Sequence, residues 1–373
     1  MKYMGSKRWM LQNGLGDVLA ASGRDAKRFV DLFAGSGAVA IHMARRFPLA
    51  VLAVDLQRYS AVLTGAIIQR NAAVLCGDIW ANWHARALKI SRGQRPPKLE
   101  KITRDRVLKF RDWCGKRRSF PLTRAYGGHY FSPIQATWLD SLRATIPAKE
   151  PQRTVALAAL LDAATKCAAS PGHTAQPFQP TRSAKLFVLA AWQKDITELT
   201  KSSFADLSNV FAQRKGSVRT ADANEAAKSI REGDLVFIDP PYSGVQYSRF
   251  YHVLESIERG DPGLVSGTGR YPDRRLRPRS RYSLKRESRE ALSELLGKIA
   301  SKGAKAIVTF PAHKCSNGLS GNIVQELARQ HFRVRVITVR SKFSTLGGTS
   351  DDPEKGRKAR QSATELILCL NPK

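Results

Sequence analysis

Apolar residues along this chain come in short runs closed by a polar or small residue, separated by stretches with apolar positions at helical spacing. The first run, Phe29-Val30-Asp31-Leu32-Phe33, leads into Ala34-Gly35-Ser36-Gly37. A helical pattern from Ala38 to Phe47 follows, then a second run, Ala50-Val51-Leu52-Ala53-Val54, closed by Asp55. From Leu56 to Gln69 the pattern is helical again. Strand, glycine-rich turn, helix and a strand with a terminal acid predict a βαβ unit of a parallel sheet. The rhythm resumes with Ser217–Ala221, closed by Asp222, and Asp234–Ile238, closed by Asp239. Further runs lie at Ala304–Phe310, Arg333–Val339 and Thr364–Leu370, with helical patterns over about Ser288–Ser301 and Gly321–Gln330. Together they predict an α/β fold of about seven strands, mostly joined by helices, with the sheet split in sequence by one large insertion. No internal repeat is evident.

Between about Ile79 and Ser202 the pattern becomes irregular, basic and aromatic. Lys101–Arg124 carries nine Lys/Arg against two acids, with Phe110, Trp113 and Phe120 interleaved, and Tyr126-Gly127-Gly128-His129-Tyr130-Phe131 follows. The division expected is a discontinuous α/β domain, 1–78 with 203–373, and an inserted, mainly helical contact region, 79–202. Within the insertion, Pro171–Phe178 is a candidate contact loop. A second basic segment, Arg270–Arg289, again has nine Lys/Arg against two acids. It reads as a strand-clamping loop, with a solvated loop as the alternative.

Charge narrows the partner. The 373 residues hold 62 Lys+Arg against 31 Asp+Glu, a formal net charge of +31. A clustered excess of that size is most simply accounted for by a polyanion, so a nucleic acid is the expected partner. No uninterrupted apolar stretch of about 18 residues exists, which argues against a membrane span. The start, Met-Lys-Tyr-Met-Gly-Ser-Lys, lacks the apolar core of a secretory signal. Cys76, Cys114, Cys167, Cys315 and Cys369 follow neither a CxxC nor a zinc-type spacing, as expected of reduced thiols in a cytoplasmic protein.

Two motifs carry chemistry. Gly35-Ser36-Gly37 after a strand is the core of a nucleotide-binding turn, where small residues admit a ligand to backbone amides. Asp55, at the end of the next strand, is placed to accept hydrogen bonds from ribose hydroxyls. With Ala40 the turn also fits a G-x-G-x-x-G/A dinucleotide pattern, so it suits a nicotinamide enzyme as well. Asp239-Pro240-Pro241-Tyr242 at the end of an apolar strand discriminates. The exocyclic amine of a base is a poor nucleophile because its lone pair is delocalised into the ring. A carboxylate and a backbone carbonyl accepting its two N–H groups localise that lone pair for attack on an electrophilic methyl. Asp239 supplies the carboxylate and the Pro240 carbonyl is a candidate second acceptor. The prolines stiffen the turn, and Tyr242 offers a face on which an extruded base stacks. This chemistry needs no metal. Ser243–His252 next to the motif reads either as a base-pocket lining or as a helix start with buried aromatics. His173 and His252 show no nucleophile–acid arrangement.

In these motifs the chain resembles the Dam-like (D12 class) adenine-specific DNA methyltransferases. Lys2-Tyr3-Met4-Gly5-Ser6-Lys7 matches their K-Y/W-x-G-x-K element, Asp31-Leu32-Phe33-Ala34-Gly35-Ser36-Gly37 their D-x-F-x-G-x-G turn, and Asp239-Pro240-Pro241-Tyr242 their D-P-P-Y, in family order. The insertion is left unmatched. The resemblance implies a Rossmann-like seven-stranded methyltransferase sheet with an inserted target-recognition region. It also implies S-adenosylmethionine as donor, transfer to a flipped-out adenine N6, and double-stranded DNA as partner. A bacterial, plasmid or phage setting follows, and a partner restriction or defence protein is left open. By the same resemblance, Tyr3 and Lys7 lie against the methionine end of the donor, Lys7 near its carboxylate. Asp31 faces the donor's amino group, with Phe33 in the same turn, and Asp222 the adenine amine. Asp78, after Ala73-Val74-Leu75, competes with Asp222 as a strand-end acid. RNA base-amine methylation, cytosine-N4 methylation and an inert nucleic-acid-binding module are the alternatives of nearest chemistry.

Overall fold

The protein, seen here as a computed structural model, is described over residues 7–99, 101–344 and 360–373, with backbone alone for 341–344 and 360–363. It separates into two compact units. One contains residues 7–56 with Ala212–Tyr247 and Arg279–Lys373, and the other Gln57–Phe211 with Ser248–Pro278.

The first unit is built on a seven-stranded sheet. Its strands are β1 (Arg28–Asp31), β2 (Ala50–Asp55), β3 (Ser217–Thr220), β4 (Asp234–Ile238), β7 (Lys305–Pro311), β8 (Phe332–Ser344) and β9 (Arg360–Pro372). A two-residue ribbon, β5 (Val265–Ser266) and β6 (Tyr271–Pro272), belongs to the second unit. The sheet order is β3-β2-β1-β4-β7-β9-β8. The first five of these strands are mutually parallel, and β9 runs antiparallel to both β7 and β8. All seven apolar runs are therefore strands of one sheet. The central ones are apolar on both faces, as expected of buried parallel strands: every residue of β4 is buried.

Register sets the site. Asp31 pairs with Ala53 and with Phe237, so Asp31, Asp55 and Asp239 emerge at the same edge. Chain order reverses between β1 and β4, the topological switch point at which open α/β sheets bind ligands. One face of the sheet packs Val30, Val54, Val236, Ile238, Val308 and Phe310 against Leu292, Leu295, Leu296 and Ile299 of the helix Ser288–Ser301. At the opposite end of β4 the Arg28 guanidinium donates to the nearly buried Asp234 carboxylate from Nε (3.0 Å) and Nη2 (2.5 Å), tying β1 to β4.

The second unit is mainly helical and larger in sequence than the 79–202 segment. It takes in the helix Arg58–Ile68 and the later segment Ser248–Pro278. Glu255 joins these two pieces: its two carboxylate oxygens accept from the amides of Arg58 and Tyr59, capping that helix from about 200 positions away. Ten of the sixteen residues of helix Gln152–Cys167 are buried, with Val155 the first of them and Cys167 the last. Several aromatics expected at a contact surface are instead core. Phe110 and Phe120 are buried, as are Tyr126, Tyr130 and Phe131, and Trp113 alone of the interleaved set is half-buried with the Arg117 guanidinium 4.0 Å from its ring. The candidate loop Pro171–Phe178 also turns inward, with His173 and Thr174 buried and the Thr174 amide donating to the Phe250 carbonyl. Phe250, Tyr251 and His252 are buried too, which favours the helix-start reading for the end of the Ser243–His252 segment. Among the described residues no helix is long and apolar enough to cross a membrane.

Candidate active site

The turn after β1 is shaped by two glycines with left-handed backbones, Gly35 (φ 53°) and Gly37 (φ 76°), with Ser36 between them. A side chain at either would be strained, which explains Gly-x-Gly here. Asp55 holds the turn, its Oδ2 accepting from the Gly35 amide at 2.8 Å. The helix Ala38–Arg46 then starts at Gly37, which has no side chain to cap it, and the Asp31 carboxyl accepts from the Ala40 amide in its first turn. Phe33 packs edge-on against Tyr282, with ring centroids 4.9 Å apart.

Asp31 is 1 % exposed and accepts from the Phe33 amide at 3.2 Å. Burial pushes its carboxyl up to about 8, and the nearby carboxylates of Asp239 and Asp55 push the same way. Asp239 extends from the end of β4. Its Oδ1 accepts from the Thr309 hydroxyl of β7 at 2.8 Å and pairs with the Lys7 ammonium at 3.1 Å. Lys7 is 5 % exposed and bridges to a second acid, Glu365 of β9, at 2.9 Å. Burial alone would lower the ammonium's affinity for its proton, but Asp239 and Glu365 together hold it well above the ordinary lysine value. Asp239 is raised from the ordinary carboxylate range by burial, with Lys7 and Thr309 opposing and Glu365 reinforcing the shift. The Tyr242 hydroxyl is likewise raised, by burial first.

The Asp-Pro-Pro-Tyr turn is braced from below. The buried Asn317 donates to the carbonyls of Pro241 (2.7 Å) and Tyr282 (3.0 Å) and accepts from the Leu319 amide (3.2 Å). After the turn, the Gly244 amide donates to Ser316, and the two ends of the Gln246 amide pair with the backbone of Ser280.

The structure thus brings together Lys7, Asp31, Phe33, Gly35, Ser36, Gly37, Asp55, Asp239, Pro240, Pro241 and Tyr242 at one end of the sheet. Asp222 follows β3 and caps the short helix after it, its Oδ1 accepting from the amides of Asn224 (2.8 Å) and Glu225 (3.4 Å). Asp78 does not follow a strand. The apolar triplet Ala73-Val74-Leu75 is irregular, with Leu75 exposed, and Asp78 lies in the first turn of the helix Gly77–Arg92 in the other unit. Tyr3 lies outside the described residues. Glu365 and Thr309 were not singled out from sequence. The one signal was an acid at the edge of the last apolar run. No cluster of three or more His, Cys, Asp or Glu with metal-holding geometry occurs among the described residues.

A parallel sheet with an acid-rich switch point, a Gly-x-Gly turn and Asp-Pro-Pro-Tyr at the end of its central strand defines a methyltransferase for base amines. The chain belongs to the D12 class N6 adenine-specific DNA methyltransferase family, whose sequence pattern matches residues 3–93 and 129–268. It is 31 % identical over 286 residues to the type II methyltransferase M.NlaIII of Neisseria lactamica, covering 72 % of each chain. It is 26 % identical over 316 residues to the type II methyltransferase M.FokI of Planomicrobium okeanokoites, covering 80 % of this chain and 43 % of that one. It is also 26 % identical over 290 residues to the modification methylase LlaI of Lactococcus lactis subsp. lactis, covering 72 % and 40 %. The chain is accordingly a DNA adenine-N6 methyltransferase, and its donor is S-adenosylmethionine. This membership separates it from the nicotinamide, RNA-amine and cytosine-N4 alternatives.

Proposed function

We propose that Asp239 and the Pro240 carbonyl hold the two N–H groups of an adenine amine that has been flipped out of duplex DNA. The observation that supports this reading is the unequal engagement of the Asp239 carboxylate. Its Oδ1 is anchored by Thr309 and Lys7, while Oδ2 makes no hydrogen bond among the described residues. One oxygen fixes the group and the other accepts from substrate. The Pro241 carbonyl is occupied by Asn317, so Pro240 provides the second acceptor. Tyr242 packs against the extruded base, and the rigid Pro240-Pro241 pair keeps acceptor and ring in place.

The donor contributes a methyl group already activated on a positively charged sulfur. The site suits such a cation: Asp239 and Glu365 share the Lys7 ammonium, Asp31 lies close enough to Asp239 and Asp55 for their charges to help raise its carboxyl to about 8, and acids outnumber cations there among the described residues. In this reading Asp31 receives the donor's ammonium, and Tyr3 and Lys7 lie against its methionine end, Lys7 near the carboxylate. Phe33, Gly35, Ser36 and Gly37 line the turn, Asp55 orients the ribose, and Asp222 uses its second oxygen for the adenine amine. The names of the relatives, type II and modification enzymes, support service in a bacterial restriction–modification system, with a restriction or defence protein as companion and site-specific methylation of cytoplasmic DNA as the activity.

The test is transfer of labelled methyl from S-adenosylmethionine to unmethylated genomic DNA and, in parallel, to total RNA, with nucleosides separated after digestion. Label is expected in N6-methyldeoxyadenosine. Asp239→Ala should abolish transfer and keep donor binding. A residual rate within about tenfold of wild type, only about 1.4 kcal/mol of barrier, would remove Asp239 from the mechanism.

A further inference from the structure

In the helical unit, beyond the end of the family match at residue 268, one aromatic ring gathers positive charge that forms no ion pair among the described residues. The Tyr271 ring of β6 is held firmly: its hydroxyl donates to the Ala175 carbonyl at 2.7 Å, and the buried His252 ring lies 4.8 Å away. The guanidinium of Arg249 sits 4.8 Å from the Tyr271 ring centroid and that of Arg277 5.4 Å from it. Arg274, exposed in the 3-10 turn Arg274–Leu276, adds a third charge close enough to disfavour the charged form of Arg277. For Arg277 burial is the largest effect, Arg249 repels it more than Arg274 does, and the attraction of Tyr271 and Asp273 is weaker than either repulsion.

The neighbouring acids direct their hydrogen bonds to other groups. Asp273 accepts from the Arg275 amide and its Nε, and Glu255 caps the helix at Arg58. Among the described residues, Arg249, Arg274 and Arg277 take part in no ion pair. Arg277 moreover has its Nε buried without a hydrogen-bond partner. It shares a recess with His252, with Glu255, whose carboxylate oxygens accept from the Arg58 and Tyr59 amides, and with Arg259, whose Nη2 is also buried and unpartnered. His252 cannot supply the missing negative charge, and burial pushes it down to about 4, which keeps it neutral at physiological pH.

Repelling guanidiniums with unused donors, fixed on a rigid ring, form an anion site. We propose that Arg249, Arg274 and Arg277, organised on Tyr271, clamp consecutive phosphates of the DNA strand carrying the target adenine, and read no base. The inference rests on duplex DNA being the substrate. DNA is favoured because guanidinium forks match phosphate oxygens, the whole chain is strongly cationic, and Arg249 follows Tyr242 of the Asp-Pro-Pro-Tyr turn by only seven positions. Tyr271 pre-orders two of the arginines, which lowers the side-chain entropy lost on binding.

The experiment uses the full chain and fluorescein-labelled duplexes, one methylatable and one of scrambled sequence, titrated by anisotropy over a series of NaCl concentrations. The triple variant R249A/R274A/R277A should bind both duplexes more weakly by a similar factor. Its plot of log affinity against log salt should be shallower by about 2–3, one step of about 0.9 per lost phosphate contact. S-adenosylmethionine affinity should stay at the wild-type value, the melting temperature of the free protein should not fall, and R249K/R274K/R277K should recover most of the slope. An unchanged slope overturns the clamp, and so does a loss confined to the methylatable duplex, which would mean base reading. Wild-type methylation of the same duplex is measured alongside. If wild type methylates and the slope is unchanged, the clamp alone fails. If wild type binds with the steep slope and transfers no methyl, the clamp stands and the catalytic reading fails.

Discussion

Asp31 shows how one buried side chain can make the empty enzyme sensitive to pH. Its carboxyl is raised to about 8, chiefly by burial. A carboxyl whose folded-state pKa lies above its unfolded value binds a proton more tightly in the native state. Its contribution is therefore fully present below the ordinary carboxylate range and is lost as pH rises through about 8. The ligand-free wild type should lose melting temperature between about pH 5 and pH 8, and Asp31→Asn should flatten that dependence. Differential scanning fluorimetry on both proteins in one buffer series decides it. An equally steep decline in Asp31→Asn would place the proton elsewhere. The gathering of residues at the site was legible in the sequence where it was local: Asp239 and Tyr242 belong to one four-residue motif, and Asp31 shares a short motif with Gly35 and Gly37. Glu365 was not legible, because its hydrogen bond with Lys7 joins positions 358 apart and only the antiparallel return of β9 brings it to Asp239's edge.

The elements carry the site by register, and one side chain locks the register of the catalytic turn. Asn317, buried between β7 and the helix Gly321–His331, ties Pro241 to Tyr282 and to its own loop. Asn317→Ala leaves two carbonyls and an amide without that partner, at about 1–3 kcal/mol for each group that stays buried and unsatisfied. A lower melting temperature is expected, with kcat falling more than donor affinity because the base-holding turn loosens while the Gly-x-Gly turn is untouched. Equal loss in both would mean that Asn317 supports the sheet as a whole. Strands were the most legible elements, since parallel, doubly buried strands read as continuous apolar runs closed by polar residues. The helical unit was less legible for the opposite reason. Phe110, Phe120 and Tyr126 sit in or beside a basic stretch that reads as a contact surface, yet all three are buried, Phe110 in a core completed by Ala169, Val188, Ala191 and Trp192 from distant parts of the sequence. The segment Ser248–Pro278 joins that unit through Glu255, a partnership that neither stretch announces by composition.

At the scale of the molecule, charge is the property that sequence reports most directly, because it needs no folding to be counted. A net charge of +31 on 373 residues exceeds what internal pairing absorbs. The ion pairs seen use arginines and lysines such as Arg28, Lys166 and Arg289, while among the described residues Arg249, Arg274 and Arg277 form none. Folding concentrates this charge, so self-repulsion opposes the compact state and screening relieves it. The melting temperature of the free protein should therefore rise with NaCl from low ionic strength to about 0.15 M, where the Debye length has shrunk to about 8 Å. Saturating duplex DNA should raise it further, since a ligand bound only to the native state stabilises it. The two effects should not add. DNA-induced stabilisation should shrink as salt rises, because the same salt that screens the repulsion also weakens the phosphate contacts. Melting curves over a grid of salt and duplex concentrations test this. A stabilisation by DNA that persists unchanged at high salt would mean that binding is carried by base and stacking contacts, with the basic surface contributing little.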